Sequence, residues 1–261
     1  MSRVAAIDCG TNSIRLLIAD ISGEKFTEVL RDMEIVRLGQ GVDQTKSFHP
    51  DAIARTLSAV EKFSAQIRSK GVEKVRFCAT SATRDASNRN IFTEGVKKIL
   101  GIEVEVIPGN EEARLSFNGA TKELTPNDSP FLVVDIGGGS TEFVFGKSEV
   151  EFAISVDIGC VRMSERHLKT QPAQSDQLAQ AIIDIDKAIA KAAVQVPISL
   201  AKSLVAVAGT ATTIAAAALN LKTYDRDVIH LSRISAQEVH KVAATFQSMS
   251  KDEIAQLGFM H

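Results

Sequence analysis

The residues best suited to chemistry lie in one stretch, residues 131–146. An apolar run ends at Asp135, three glycines and two hydroxyl residues follow, and Glu142 opens a second β-prone run. This pattern predicts two strands joined by a tight turn. Glycines let a ligand approach the backbone N–H groups, which can form a nest for phosphate oxygens. Asp135 and Glu142 could hold a hard divalent cation against that phosphate. The alternative is an ordinary glycine-rich hairpin with two surface acids.

A similar arrangement occurs near the N-terminus, in residues 4–20. It again consists of an apolar run, an aspartate, a turn of glycine and polar residues that ends in serine, and a second apolar run. The matched positions are Asp8 with Asp135, Gly10 with Gly137, Ser13 with Ser140, and Arg15 with Glu142. Two phosphate-type hairpins in one chain predict two similar domains facing each other across a cleft.

The composition excludes several classes of function. The chain has 261 residues, of which 44% are hydrophobic and 24% charged, as expected for one large or two small globular domains. A net charge of −2 provides no global positive field to attract a polyanion. A phosphate-rich substrate must therefore be held by local arginines, helix N-termini and metal. One tyrosine and no tryptophan, together with this charge, argue against nucleic-acid binding.

The three cysteines, Cys9, Cys78 and Cys160, are isolated and lack the spacing of a zinc site. They fit free thiols in a reducing cytoplasm better than a disulfide framework. Cys9 lies inside the first hairpin, where it is either an oxidation-sensitive thiol or a small buried side chain. The sequence shows no N-terminal signal and no apolar run of membrane-spanning length. We therefore expect a cytoplasmic protein that does not enter a membrane.

Hydrophobic periodicity and turn residues outline the remaining organisation, an α/β chain of two domains. A polar segment, residues 121–129, predicts a boundary that divides the chain into residues 1–124 and 125–261. The patterns predict helices over 50–69, 89–100 and 235–246, and strands over 73–79, 102–107, 204–208 (buried) and 228–231.

Two further charged residues stand at predicted element ends. Arg84 follows the strand over 73–79, at an edge where α/β sheets bind ligands, and its planar fork matches phosphate oxygens. Alternatively, Arg84 caps a local carboxylate such as Asp85. Glu112 follows Glu111 in the first turn of a predicted helix, where acids usually complement the helix dipole.

Five segments together resemble the exopolyphosphatase and guanosine pentaphosphate phosphohydrolase family, the Ppx/GppA phosphatases of short, two-domain type. They are residues 8–13, 79–84, 109–114, 135–142 and 159–162. The resemblance implies two ribonuclease-H-like domains of the actin and hexokinase fold group, with a magnesium-dependent active site in the interdomain cleft.

By position, the resemblance implies that Glu112 is the base that activates water and that Arg84 binds phosphate. Asp135 and Glu142 match acids associated with Mg²⁺, and Asp8 is a third candidate metal ligand. The implied phosphate-loop residues are Asn12, Ser13, Gly137, Gly138, Gly139 and Ser140.

The implied activity is release of terminal phosphate from inorganic polyphosphate. Three alternatives remain open: 5′-phosphate hydrolysis of guanosine pentaphosphate, a kinase of the same fold group, and a sensor that binds polyphosphate or the nucleotide without turnover. The resemblance is compatible with a homodimer. It also implies a strand, a turn and a helix beyond His261 that would complete the second domain.

Overall fold

The computed structural model describes residues 2–23 and 25–260, and the chain forms two compact units. Unit 1 is Met1–Glu112 and unit 2 is Ala113–His261. The division falls within one helix, Gly109–Thr121, whereas the predicted boundary lies in the loop that follows it. Each unit contains one β-sheet with helices, so the predicted α/β class is confirmed.

The sheet of unit 1 has the order β3-β2-β1-β4-β5. Its first three strands form an antiparallel meander, and β4 pairs in parallel with β1. Alternate residues of β1 are buried because successive side chains of a strand point to opposite faces. The strands are β1 Ser2–Cys9, β2 Ser13–Ser22, β3 Lys25–Ile35, β4 Lys74–Ala79 and β5 Glu105–Val106.

The helices of unit 1 cover a core in which aromatic rings are fully buried. Phe63, Phe77 and Phe92 are all inaccessible to solvent. The helix over 50–69 begins with proline at its first position, and the His49 side chain accepts a hydrogen bond from the Asp51 amide (3.2 Å). The helices are α1 Val42–Thr45, α2 Pro50–Ser69, α3 Ser81–Asp85, α4 Arg89–Leu100 and α5 Gly109–Thr121, which continues into unit 2.

The sheet of unit 2 repeats the topology of the first four strands of unit 1. Its order is β8-β7-β6-β9, again an antiparallel meander followed by a strand parallel to the first. The strands are β6 Phe131–Ile136, β7 Thr141–Gly146, β8 Val150–Val156 and β9 Ser203–Val207. The predicted duplication therefore extends beyond the hairpins to the order of four strands.

Short 3-10 turns and six further α-helices complete unit 2 within the described residues. Ser235 caps the helix predicted over 235–246, and its hydroxyl accepts from the Glu238 amide. The helices are α6 Cys160–His167, α7 Ser175–Gln195, α8 Ala208–Ala218, α9 Arg226–Ile229, α10 Ala236–Ser248 and α11 Lys251–Ala255. In the described part of the chain, no helix is both long and apolar enough to cross a membrane.

Three strand predictions were wrong, one in the length of the strand, one in its burial and one in the type of element. The strand over 102–107 is reduced to Glu105–Val106. The strand over 204–208 was expected to be buried, but β9 lies at the edge of its sheet and Leu204 is 68% exposed. Residues 228–231 were expected to be a strand, yet Arg226–Ile229 is helical. The Asp225 side chain accepts hydrogen bonds from the amides of Asp227 and Val228 (3.0 and 3.2 Å), and this cap outweighs a short β-prone pattern.

Two neighbouring residues of α4 test the aromatic core. The ring of Phe92 meets Phe48 and Phe77 edge-on, with centroids 5.9 and 6.2 Å away, whereas Ile91 is 59% exposed. We expect Phe92→Ala to lower the free energy of unfolding of unit 1 by about 3–5 kcal/mol in urea denaturation. Ile91→Ala should change it by less than about 0.5 kcal/mol. Equal losses in the two variants would contradict the described packing.

Candidate active site

The two hairpins share one backbone geometry. In unit 1 the Gly10 amide donates to the Ser13 carbonyl (2.9 Å), and in unit 2 the Gly137 amide donates to the Ser140 carbonyl (3.1 Å). The residues that the sequence aligns, Gly10 with Gly137 and Ser13 with Ser140, thus form the same hydrogen bond in the two turns.

The residues facing each other across the two hairpins differ in charge. Asp8 pairs in register with Arg15, and their side chains form an ion pair with 3.6 Å between Arg15 Nη1 and Asp8 Oδ2. The matching pair in unit 2 is Asp135 and Glu142, two carboxylates directly opposite each other. Like charges in this position destabilise a sheet unless neighbouring groups compensate. Unit 1 therefore neutralises its hairpin acid, whereas unit 2 concentrates negative charge.

Serine hydroxyls bind both acids of unit 2. Ser116 Oγ on α5 donates to Asp135 Oδ2 (2.6 Å). Ser140 Oγ and Ser155 Oγ both donate to Glu142 Oε1 (2.8 and 2.7 Å). Glu142 is only 1% exposed, so these hydroxyls take the place of water as its hydrogen-bond donors. These hydroxyls fix the orientation of the two acids and reduce the energetic cost of placing them together.

Asp135 and Glu142 could hold a metal ion that takes its remaining ligands from water or substrate. Among residues 2–23 and 25–260 no group of three or more His, Cys, Asp or Glu side chains could hold a metal ion. Mg²⁺ usually retains several waters and binds through one or two carboxylates together with substrate phosphates. Asp135 and Glu142 provide that number of carboxylates beside a glycine turn.

In unit 1 the structure brings Arg84 and Glu112 together. Arg84 Nη1 donates to Glu112 Oε2 (2.8 Å) and to the carbonyl of Ile107 (2.9 Å). The two side chains are 23% and 19% exposed, so their ion pair is partly shielded from water. Arg84 thus pairs with the carboxylate of Glu112, which is distant in the sequence, whereas the alternative from the sequence named a local carboxylate such as Asp85. Contact of Arg84 with phosphate stays a prediction.

The adjacent acids at the start of α5 have different partners. Glu111 bonds Arg76, at 2.8 Å from Glu111 Oε1 to Arg76 Nη2, on the exposed side of β4. Glu112 points instead to Arg84, which follows the end of β4. Sequence alone could not separate the two acids without the family resemblance, and the structure gives them distinct environments.

The turn of the first hairpin is hydrogen-bonded to the segment that follows β3. The Asn12 carbonyl accepts from the amides of Val36 (3.0 Å) and Arg37 (2.8 Å), and the Thr11 carbonyl accepts from the Gly39 amide (2.8 Å). A Cβ on Gly39 would lie 2.2 Å from the Thr11 side chain, so glycine is required for this close approach. Asn12 and Ser13, the predicted phosphate contacts of this loop, are half-buried.

Sequence analysis missed Ser116 and Ser155, which contact the acid pair. Ser116 lies one helical turn after Glu112 on α5, and Ser155 lies opposite Glu142 in the register of β7 and β8. The helical spacing was visible in the sequence, but the strand register was not. Arg162 was part of a recognised segment without an assigned role, and it bonds the glycine turn in the structure.

Comparison with known proteins assigns the chain to a family of phosphatases. The described chain consists of two α/β units whose sheets share the order of four strands. The model of the Ppx/GppA phosphatase family matches residues 17–261. The chain belongs to this family and is an enzyme of the hydrolase class. The position of its active site in a cleft between the domains stays a prediction.

Three similar proteins illustrate the relationship. Exopolyphosphatase 2 of Mycobacterium tuberculosis is 44% identical over 270 residues, which cover all of this chain and 85% of that protein. A crystal structure of an exopolyphosphatase-like protein has a TM-score of 0.97 and 42% identity, and the match covers all of this chain and 82% of that one. The guanosine-5′-triphosphate,3′-diphosphate pyrophosphatase of Photobacterium profundum is 34% identical over 180 residues, 68% of this chain and 36% of that protein.

The environments of the cysteines predict their order of alkylation. Cys9 is buried, and burial raises the pKa of its thiol, which makes it a small core side chain rather than a reactive group. Burial also raises the pKa of the half-buried Cys78, whereas Cys160 is exposed. We expect N-ethylmaleimide to modify Cys160 first and Cys9 only on unfolding, as measured by mass spectrometry of the native protein. Labelling of Cys9 as fast as Cys160 would contradict this assignment.

Proposed function

We propose that this protein is an exopolyphosphatase that releases terminal orthophosphate from inorganic polyphosphate in the cytoplasm. The observation that carries the proposal is the opposed pair of Asp135 and Glu142 beside a glycine turn. An acidic pair attracts a divalent cation, and a glycine turn offers backbone amides to phosphate. Whole-chain similarity to Exopolyphosphatase 2 of Mycobacterium tuberculosis supports polyphosphate as the substrate.

In this mechanism Glu112 acts as the general base. Its carboxylate takes a proton from water while the water oxygen attacks the terminal phosphorus, and the phosphoanhydride bond to the next phosphate breaks. The products are orthophosphate and a polyphosphate that is one unit shorter. The hydrogen bond from Arg84 to Oε2 fixes the orientation of the Glu112 carboxylate. A general base needs a defined orientation to reach the water molecule that it deprotonates.

Arg84 has donors for a second task. Its hydrogen bonds to the Ile107 carbonyl and to Glu112 both use Nη1. A guanidinium carries five N–H donors, so Nε and Nη2 can bind phosphate oxygens while Nη1 holds Glu112. We therefore assign Arg84 both roles, orientation of the base and binding of the phosphate.

The phosphate loops and the acids complete the assignment. Asn12 and Ser13 of the first loop and residues 137–140 of the second would bind phosphate oxygens. Asp135 and Glu142 would hold Mg²⁺ directly or through water, and a bound magnesium ion would offset the charge on the phosphoryl oxygens. Asp8 is the third proposed ligand, although its ion pair with Arg15 already balances its charge.

Guanosine pentaphosphate is the second candidate substrate. Its 5′-terminal phosphate is attached through the same type of phosphoanhydride bond, so the same residues could act on it. The partial match to the guanosine-5′-triphosphate,3′-diphosphate pyrophosphatase of Photobacterium profundum favours this alternative. Binding of either compound without turnover would instead indicate a sensor.

Replacement of the adjacent acids of α5 tests the base. We expect Glu112→Gln to lower kcat for magnesium-dependent phosphate release from long-chain polyphosphate by about 10²–10⁴-fold, because an amide cannot accept the proton. Glu111→Gln is the matched control and should retain kcat within about twofold, since Glu111 pairs with Arg76 at the surface.

The same assay with guanosine pentaphosphate identifies the substrate. Faster release from polyphosphate supports the proposal, and release from the nucleotide alone would replace it by the second candidate. Equal activities of Glu112→Gln and the wild type would remove Glu112 as the base.

Magnesium binding can be measured without turnover. Isothermal titration calorimetry should show that Asp135→Asn weakens Mg²⁺ binding by about tenfold or more, the scale of one lost charged ligand. Asp8→Asn should have a smaller effect because Arg15 already pairs with Asp8. An unchanged affinity in Asp135→Asn would contradict its assignment as a ligand.

A further inference from the structure

The carbonyl groups of the glycine turn in unit 2 all point at the beginning of helix α6. Each of the three glycines accepts at least one hydrogen bond from a backbone amide of residues 159–162. The bonds run from Cys160 to Gly137 (2.9 Å), from Val161 and Arg162 to Gly138 (2.9 and 3.0 Å), and from Gly159 to Gly139 (3.2 Å). The first amides of α6, which would otherwise lack partners, are thus used by the turn itself.

The side chain of Arg162 adds a stronger bond to the same turn. Its Nε donates to the carbonyl of Gly139 at 2.6 Å, and the side chain is 8% exposed. Arginine is almost never buried to this extent unless it is paired, and Asp157 Oδ1 lies 3.8 Å from Nη2. A charged donor makes a shorter and stronger bond than a neutral one. The turn is therefore held by the buried guanidinium of Arg162 as well as by the backbone amides of α6.

Fixing these carbonyls also fixes the next amides. In a trans peptide the C=O and the following N–H point in opposite directions, and neither cis bond of the described chain lies in this turn. The amides of Gly138, Gly139 and Ser140 consequently point away from α6. In residues 2–23 and 25–260 none of these three amides has a backbone acceptor outside regular strands and helices. They are the donors that an anion would find at the front of the turn.

We propose that Arg162 is a positioning residue, which holds the glycine turn so that the amides of Gly138, Gly139 and Ser140 face the substrate phosphate. Its bond to the Gly139 carbonyl also polarises the Gly139–Ser140 peptide, which strengthens the Ser140 amide as a donor. This inference rests on the proposed phosphatase function and assigns a residue through which phosphate affinity is set.

The contact between the turn and α6 leaves no room for a side chain. A Cβ on Gly159 would lie 2.3 Å from both Gly138 C and Gly139 N, which are backbone atoms that cannot move aside singly. The close approach of α6 is thus independent evidence that the turn is held from behind at a defined distance.

The test compares two arginines of the same helix. Arg162→Met removes the bond to Gly139 but retains an apolar stem, and Arg162→Lys retains the positive charge. Arg166→Met is the matched control, since Arg166 lies one turn later and bonds Asp184 of α7. We expect Arg162→Met to raise KM for polyphosphate by about tenfold, the effect of one lost charge-assisted hydrogen bond, with a smaller change in kcat. Arg162→Lys should restore part of the affinity, and Arg166→Met should match the wild type.

A second measurement does not depend on turnover. Tripolyphosphate should shift the NMR signals of the Gly138, Gly139 and Ser140 amides in the wild type and in Arg166→Met, and should shift them less in Arg162→Met. If Arg162→Met does not fold, Arg162→Gln, which also removes the positive charge, provides the same comparison.

The two measurements separate this inference from the proposed function. Wild-type KM and wild-type amide shifts in folded Arg162→Met or Arg162→Gln would overturn the positioning role even if the enzyme is active. Amide shifts that depend on Arg162 in a protein without polyphosphate turnover would support the positioning role and reject the proposed activity.

Discussion

Two carboxylates face each other across strands β6 and β7, and the surrounding structure of unit 2 makes this arrangement tolerable. Asp135 and Glu142 occupy directly opposite positions, where like charges repel. Hydroxyl groups from three different elements, namely α5, the glycine turn and β8, donate to them. The register of β7 with β8 and the packing of α5 on the sheet are therefore also constraints on the site. A cation bound here would relieve the remaining repulsion.

The two hairpins combine one backbone geometry with facing side chains of different charge. Both turns close with the same hydrogen bond, and both have their carbonyls held from behind, by the segment after β3 in unit 1 and by α6 in unit 2. The facing pair differs, since Arg15 neutralises Asp8 whereas Glu142 adds to the charge of Asp135. The backbone of the turn is thus the same in both units, and a single facing side chain, Arg15 or Glu142, decides the net charge of the hairpin.

Much of the fold follows from local signals in the sequence. The hairpins, the helix over 50–69 with its proline start and the capped helix after Ser235 depend on nearby residues, and they are confirmed. The exposure of Leu204 depends on the position of β9 at the edge of the sheet, and the hydrophobic pattern of a strand does not reveal that position. Residues 226–229 form a helix because the side chain of Asp225 caps its first amides. The contact of Ser155 with Glu142 was beyond prediction because it requires the register of β7 with β8, and the contact of Ser116 with Asp135 because it requires the packing of α5.

The most direct test of the central claim is to locate the cation. Crystals grown with Mn²⁺ in place of Mg²⁺ and with tripolyphosphate would give an anomalous difference map that identifies the metal without assumptions about activity. The account predicts a peak in direct or one-water contact with the carboxylates of Asp135 and Glu142. A peak located elsewhere, for example at Asp8, with neither of these acids coordinated would contradict it.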